Sequence, residues 1–249
     1  MTDALVKKAA RDLCASRNVA ALTGAGISVE SGIPPFRGKG GVWEKFDPME
    51  YAHIDAFMRN PEKVWKVFLK ELNEVVQKAS PNAAHMGLSR LEALGFLKTV
   101  ITQNVDGLHQ AAGNTDVIEF HGTFARHRCL ECSRTYPAAE LNFSRIPPRC
   151  ECGGILRPEC VFFGEMIPPH LLWRSEQIAS TCDILLVVGT SAIVQPAATL
   201  PVIAKHSGAK VIEINAEPTA LTDSVSTYCI LGKAGEIMSG IIRELEASM

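Results

Sequence analysis

Gly24-Ala-Gly-Ile-Ser-Val-Glu-Ser-Gly-Ile-Pro-Pro-Phe-Arg37 follows directly on Val19-Ala-Ala-Leu-Thr23, an apolar run of strand length. Strand, glycines, then a helix start is how a backbone comes close to a phosphate. Glycines at 24 and 26 remove the Cβ atoms that would hold an anion away. Amides of the following turn, helped by the helix dipole, can then point at it. Pro34 and Pro35 halt the helix, and Phe36-Arg37 add a flat ring and a fixed positive charge. Cradle, ring and cation together suggest a nucleotide held while something happens to it.

Outward from this stretch, the chain alternates strands and helices. Residues 3–17 carry Leu5, Ala9 and Leu13 on one helical face. Residues 48–79 read as two helices, the second opened by Asn60-Pro61 and striped by Val64, Phe68, Leu72 and Val75. Another helix runs from Ser80-Pro-Asn82 to about Leu94. Buried strands are read at 98–103, 117–120, 183–189 and 209–214, with helices at 196–206 and 235–247. Strands alternating with helices predict an α/β, doubly wound parallel sheet, in which ligands bind beyond the carboxyl ends of the strands. That rule collects Gly24 to Arg37, Gln103 to Asp106, His121, Gly189-Thr-Ser191 and Asn215 at one crevice.

Composition bounds the function. A length of 249 residues suits one sizeable domain plus a small module. The net charge of −2 gives no basic field for nucleic acid, so no direct nucleic-acid binding is expected. The longest apolar run, Ile184-Leu-Leu-Val-Val188, has strand length, not that of a membrane span. The N-terminus lacks a basic-then-apolar signal layout, so a cytoplasmic location is expected. Four of the eight cysteines cluster between Cys129 and Cys152. In a reducing compartment such a cluster favours metal over disulfides.

Three groups of residues carry chemistry. Thr102-Gln-Asn-Val-Asp106 sets polar side chains at a strand end, where Asp106 could equally cap the next helix. His121 follows an apolar strand and precedes Gly122. An imidazole there can act as a general base near neutral pH, whereas the other histidines carry no such argument. Cys129-Leu-Glu-Cys132 and Cys150-Glu-Cys152, seventeen residues apart, are a zinc signal. Four thiolates close a structural tetrahedral site. The second pair is Cys-x-Cys where Cys-x-x-Cys is usual, so Cys160 or His127 could replace a ligand. The glycine loop departs from the hydride-transfer fingerprint: Val29 stands at the third glycine, and no acidic strand end follows about 20 residues on.

With these motifs in this order the chain resembles the sirtuins, the silent-information-regulator family of NAD-dependent protein deacylases. Arg157-Pro-Glu-Cys-Val-Phe-Phe-Gly-Glu165, Pro196-Ala197 and Ile214-Asn215 extend the match over nearly the whole length. The resemblance implies a Rossmann-like domain (1–37, 81–125 and 159–249) and a smaller one. The smaller one combines a mobile cofactor loop and helical module (38–80) with a zinc-binding module (126–158).

NAD would be a co-substrate, bound through Gly24, Ala25, Gly26, Ser28, Phe36, Arg37, Gln103, Asn104, Val105, Asp106, Gly189, Thr190, Ser191 and Asn215. An acyl-lysine protein would enter past Val161 and Phe163 and pair with Phe163-Gly164-Glu165 as an added strand. Asn104 and His121 would be catalytic, His121 as the general base, and Cys129, Cys132, Cys150 and Cys152 would hold structural zinc. The products would be lysine, nicotinamide and 2′-O-acyl-ADP-ribose.

The loop at 36–43 is similar to that of desuccinylases, which carry Tyr-x-x-Arg on the next helix. Here the aligned residues are Phe68-Leu-Lys-Glu71. Glu71 in place of the arginine predicts repulsion of succinyl and a preference for acetyl. Mono-ADP-ribosyl transfer, a longer-chain deacylase, a non-catalytic nucleotide or zinc scaffold, and a hydride-transferring enzyme are the competing readings.

Overall fold

The computed structural model describes residues 2–38 and 40–249. Lys39, in the loop expected to be mobile, lies outside the described residues. Six strands form one parallel sheet: β1 (Val19–Thr23), β2 (Leu97–Thr102), β3 (Val117–Glu119), β7 (Ile184–Val188), β8 (Lys210–Asn215) and β9 (Tyr228–Leu231). Their order is β3-β2-β1-β7-β8-β9. The chain therefore reverses its winding between β1 and β7, and this switch point opens a crevice at the strand ends.

Residues of β1 alternate between the two faces of the sheet, which explains why the strand is apolar throughout. Val19 and Ala21 pack under the helices Thr2–Cys14, Ala83–Ala93 and Ala234–Glu246. Ala20 and Leu22 pack toward Pro169–Thr181 and Leu200–His206. A sheet covered on both faces needs such runs instead of polar alternation.

The second layer of structure is smaller. Strands β4 (Gly122–Cys129), β5 (Thr135–Pro137) and β6 (Leu156–Cys160) form an antiparallel sheet in the order β5-β4-β6. The helical region differs from the two helices expected over 48–79. Its first part is split into Pro48–Tyr51 and Ile54–Arg59. Its second is one run, Pro61–Val64 and Lys70–Lys78 joined by a π turn at Trp65–Leu69. Asn60 caps it, its Oδ1 accepting from Lys63 N at 3.0 Å. The wider turn delays the helical repeat, so Val76 rather than Val75 packs with Val64, Phe68 and Leu72.

Candidate active site

The ends of β1 and β7 touch through glycines. Gly26 N donates to Gly189 O at 2.7 Å, and Gly24 N donates to Val188 O at 3.2 Å. A Cβ on Gly26 would lie 2.7 Å from Gly189 Cα, and one on Gly24 would lie 2.8 Å from Thr190 Cβ. Gly189 has φ +62°, and a Cβ there would collide with the backbone of Ile27. These glycines are thus required by loop-on-loop contact, and the Gly26 amide is already engaged. The turn that follows, Ala25–Ser31, is a 3₁₀ helix ended by Gly32 in the left-handed region, ahead of the two prolines.

A cleft of about 970 Å³ opens above this crossing. Gln103 Nε2 donates to Thr190 Oγ1 at 2.9 Å, tying β2 to β7. Asn104 Nδ2 reaches Gly24 O at 3.2 Å and Ser28 Oγ at 3.1 Å. Ser28 Oγ donates to Asp106 Oδ2 at 2.7 Å, while Asp106 Oδ1 accepts from Leu108 N at 3.0 Å. Asp106 thus caps the next helix with one oxygen and holds Ser28 with the other, and neither Asp106 nor Ser28 lines the cleft itself. Asn215 Nδ2 donates to Thr190 O at 3.2 Å. Ala25, Val105 and Ser191 also line the cleft, as do Phe36 and Arg37. Arg37 has no ion-pair or hydrogen-bond partner among the described residues.

His121 stands where this polar floor meets an apolar wall. Its Nδ1–H donates to Gln103 O at 3.1 Å. That bond selects the tautomer in which Nε2 keeps its lone pair. Burial disfavours the charged ring and lowers its pKa, and the Gln103 carbonyl offsets part of this. A neutral imidazole with a free acceptor nitrogen is a general base at neutral pH.

The wall includes Ala52, Phe68, Leu72, Val161 and Phe163. Phe163 has already spent its backbone groups: its N donates to Ala52 O and its O accepts from Ile54 N, both at 2.9 Å. Gly164, at φ +85°, lies against the His53 ring. The Glu165 side chain is turned inward, taking Arg157 through both guanidinium NH2 groups at 2.9 and 2.7 Å, and Phe162 N at 2.9 Å.

Glu71 corrects the expectation placed on it. It does not line the cleft. It is exposed and accepts from Lys45 Nζ at 2.6 Å. Leu72, one helical turn on from Phe68, takes the wall position, so any bias against an acidic acyl group rests on apolar lining.

Two buried histidines lie behind the floor, and sequence reasoning assigned them nothing. His109 Nε2 is 2.8 Å from Thr23 Oγ1, which donates to Thr102 Oγ1 at 2.8 Å. Thr102 Oγ1 accepts in turn from Asn104 N at 3.1 Å. His85 and His109 meet edge to face at 4.9 Å. Burial pushes His85 down to about 4 and His109 down to about 3, so both are neutral. The available signal was His109's place three residues after Asp106.

The sulfur atoms of Cys129, Cys132, Cys150 and Cys152 all lie within 4.8 Å of one another. Neighbouring pairs are 3.5 Å apart. Zinc–sulfur bonds of about 2.3 Å in a tetrahedron put sulfurs about 3.8 Å apart, so the set fits structural zinc. Tyr136 Oη lies 3.1 Å from Cys150 Sγ as a supporting contact. Cys160 and His127 are not part of this group, which resolves the choice left by the Cys-x-Cys spacing. His127 is instead stacked on Trp65, centroids 5.7 Å apart.

Comparison with known proteins bears on this arrangement. The model of the Sir2 family matches residues 24–196. The chain is 44% identical over 246 residues to the NAD-dependent protein deacylase 1 of Archaeoglobus fulgidus, covering 98% of this chain and 99% of that one. It is 46% identical to the NAD-dependent protein deacylase 2 of Pyrobaculum aerophilum, covering 94% and 93%. A crystal structure of a Sir2 homologue–NAD complex superposes with a TM-score of 0.88 at 44% identity, covering 97% of this chain and 94% of that one. A Sir2 complex with deacetylated p53 peptide and 3′-O-acetyl-ADP-ribose does so with a TM-score of 0.90 at 36% identity, covering 96% and 97%.

Proposed function

The chain belongs to the Sir2 family of NAD-dependent protein deacylases, and from that premise we propose that it removes acetyl groups from protein lysine side chains. The products are free lysine, nicotinamide and 2′-O-acetyl-ADP-ribose. The observation that carries this reading is the position of His121, a neutral base between a polar, glycine-built floor and an apolar wall.

NAD, when bound, supplies the ribose carbon that the acyl oxygen joins as nicotinamide leaves. Gly24, Ala25, Gly26, Ser28, Gly189, Thr190, Ser191 and Asn215 form its phosphate and adenosine side, with Arg37, which has no ion-pair partner among the described residues, as a cation beside them. Gln103 and Asn104 face the nicotinamide ribose. Val105 and Asp106 hold the carboxamide, and Ser28 fixes the Asp106 carboxylate. His121 Nε2 takes a ribose hydroxyl proton, which frees that oxygen to attack the acyl carbon. Phe36 covers the ribose face after nicotinamide departs.

The lysine side chain passes Val161 and Phe163. Because Phe163 is paired with Ala52 and Ile54, and Glu165 N donates to Phe162 O, the backbone of Gly164 and the carbonyl of Glu165 offer the groups for an incoming peptide strand. The four-cysteine zinc site stabilises the small sheet and stands apart from the chemistry. A reducing, cytoplasmic setting goes with this reading, since it keeps the four clustered thiols available to metal. No helix among the described residues is long and apolar enough to cross a membrane.

The apolar wall around Phe68 and Leu72, with Glu71 outside it, also favours a second reading: neutral acyl groups longer than acetyl. Mass spectrometry of products from NAD and a panel of acyl-lysine peptides tests both. Acetyl-ADP-ribose formed fastest from acetyl-peptide supports the first. Faster release of a longer neutral acyl group supports the second, and faster succinyl removal contradicts both.

A further inference from the structure

Trp43 joins the two halves of the cleft. Its indole stacks on Phe36 with centroids 5.1 Å apart and planes 28° from parallel. On its other sides it meets Phe68 at 5.8 Å and Phe163 at 6.2 Å. Phe36 belongs to the cofactor loop, whereas Phe68 and Phe163 belong to the apolar wall. The backbone adds a tether, since Trp43 N donates to Phe36 O at 3.0 Å and Val42 N to Pro35 O at 2.9 Å. Gly41 sits inside this turn, where a Cβ would lie 2.9 Å from Phe36 O. The indole N–H is buried without an acceptor among the described residues. Among the described residues no side-chain hydrogen bond fixes the ring, so ring packing and the backbone tether set its place.

We propose that Trp43 is a positioning residue that holds Phe36 over the ribose and passes to it the state of the acyl-lysine channel. An acyl-lysine lying along Phe163 and Phe68 presses on the same indole that supports Phe36. Offset aromatic contacts of this kind add to the stability that buried area alone gives. Loss of that support leaves Phe36 free to swing off the ribose. Nicotinamide can then return: its ring nitrogen bonds again to the anomeric carbon, the acyl oxygen leaves that carbon, and NAD and acyl-lysine are restored. The consequence is a changed partition between exchange and product formation, with little change in overall folding.

The inference rests on the proposed role of Phe36, and the test separates the two. The ratio of labelled-nicotinamide exchange to deacetylation is measured with acetyl-peptide and NAD for the full chain and four variants. Phe36→Ala and Trp43→Leu are each expected to raise the ratio about tenfold, Trp43→Phe to stay near the parent, and the Phe36→Ala/Trp43→Leu double variant to match Phe36→Ala alone. Melting curves of each variant show whether the fold is kept, and Trp43→Phe supplies the milder change. An unchanged ratio in Trp43→Leu beside a raised one in Phe36→Ala overturns the role of Trp43 alone. Multiplying effects in the double variant do the same. An unchanged ratio in Phe36→Ala removes the reading of Phe36 and this inference with it.

Discussion

The floor of the cleft and its wall are held by different forces. Beneath the floor, Thr23, Thr102, Asn104, Ser28 and Asp106 form a chain of hydrogen bonds of 2.7–3.1 Å, backed by His109, and Asn104 brings it to the cleft surface. Along the wall and the loop beside it, Phe36, Trp43, Phe68 and Phe163 meet through rings at 5.1–6.2 Å. Directional bonds fix atoms to a few tenths of an ångström, which suits a reacting centre. Ring contacts are less directional and tolerate sliding, which suits a surface that must admit a side chain and let a loop move. On the function proposed above, the difference separates the parts that would set rate from the parts that would set choice and fate of substrate.

The sharpest way to break this division is His121→Ala. Loss of the base should cut deacetylation by about a thousandfold while NAD still binds, read by turnover and by calorimetric titration. Turnover within a few fold of the parent would remove His121 from the chemistry. Next in size is Gly189→Ala, which forces a Cβ into the backbone of Ile27 at φ +62°. It should cost at least about 2 kcal/mol in denaturant unfolding and weaken NAD binding with it.

The floor also predicts a response to acid. His85 and His109 have folded pKa values of about 4 and about 3, below the unfolded value of about 6.5. Their contribution is present above pH about 6.5 and is lost as pH falls toward the folded values, because the unfolded chain then binds more protons. Melting temperature should decline steadily from pH about 6.5 to 4.5, and His109→Asn should flatten that decline. His121 is also lowered by burial, so the acid limb of the activity profile should lie below pH about 6.5. The smallest change belongs to Glu71→Gln. With Glu71 paired to Lys45 outside the cleft, acetyl and succinyl rates should each shift by less than about twofold.

The parts legible in the sequence were those written in short range. Runs such as Ile184-Leu-Leu-Val-Val188 announce buried strands, and the order of loops at strand ends gathers the floor. In the main sheet and the long helices that cover it, two elements escaped. Helix Pro169–Thr181 buries only Ser175 and Ala179 fully, so its apolar stripe is faint. Strand β9 is an edge with only Ile230 buried. Glu71 was misplaced because a spacing of three from Phe68 does not say which face of the helix its carboxylate takes. Lys45, from a separate segment, decides that. His85 and His109 were invisible for a related reason, since Thr23, their link to the floor, lies 86 residues from His109. The cysteine ligand set stayed ambiguous until the fold placed Cys160 and His127 elsewhere.

The crossing of the β1 and β7 loops has a consequence for how this protein can diverge. Each loop occupies the volume that a side chain on the other would need, at Gly26 on one strand end and Gly189 on the other. A single substitution at either finds no vacancy, and a paired change needs two steps of which the first is damaging. Variation in cofactor handling is therefore channelled outward, to loop tips such as Ser191 and to the ring-lined wall. The contact that closes the base of the cleft is thus also one with no single-step mutational exit.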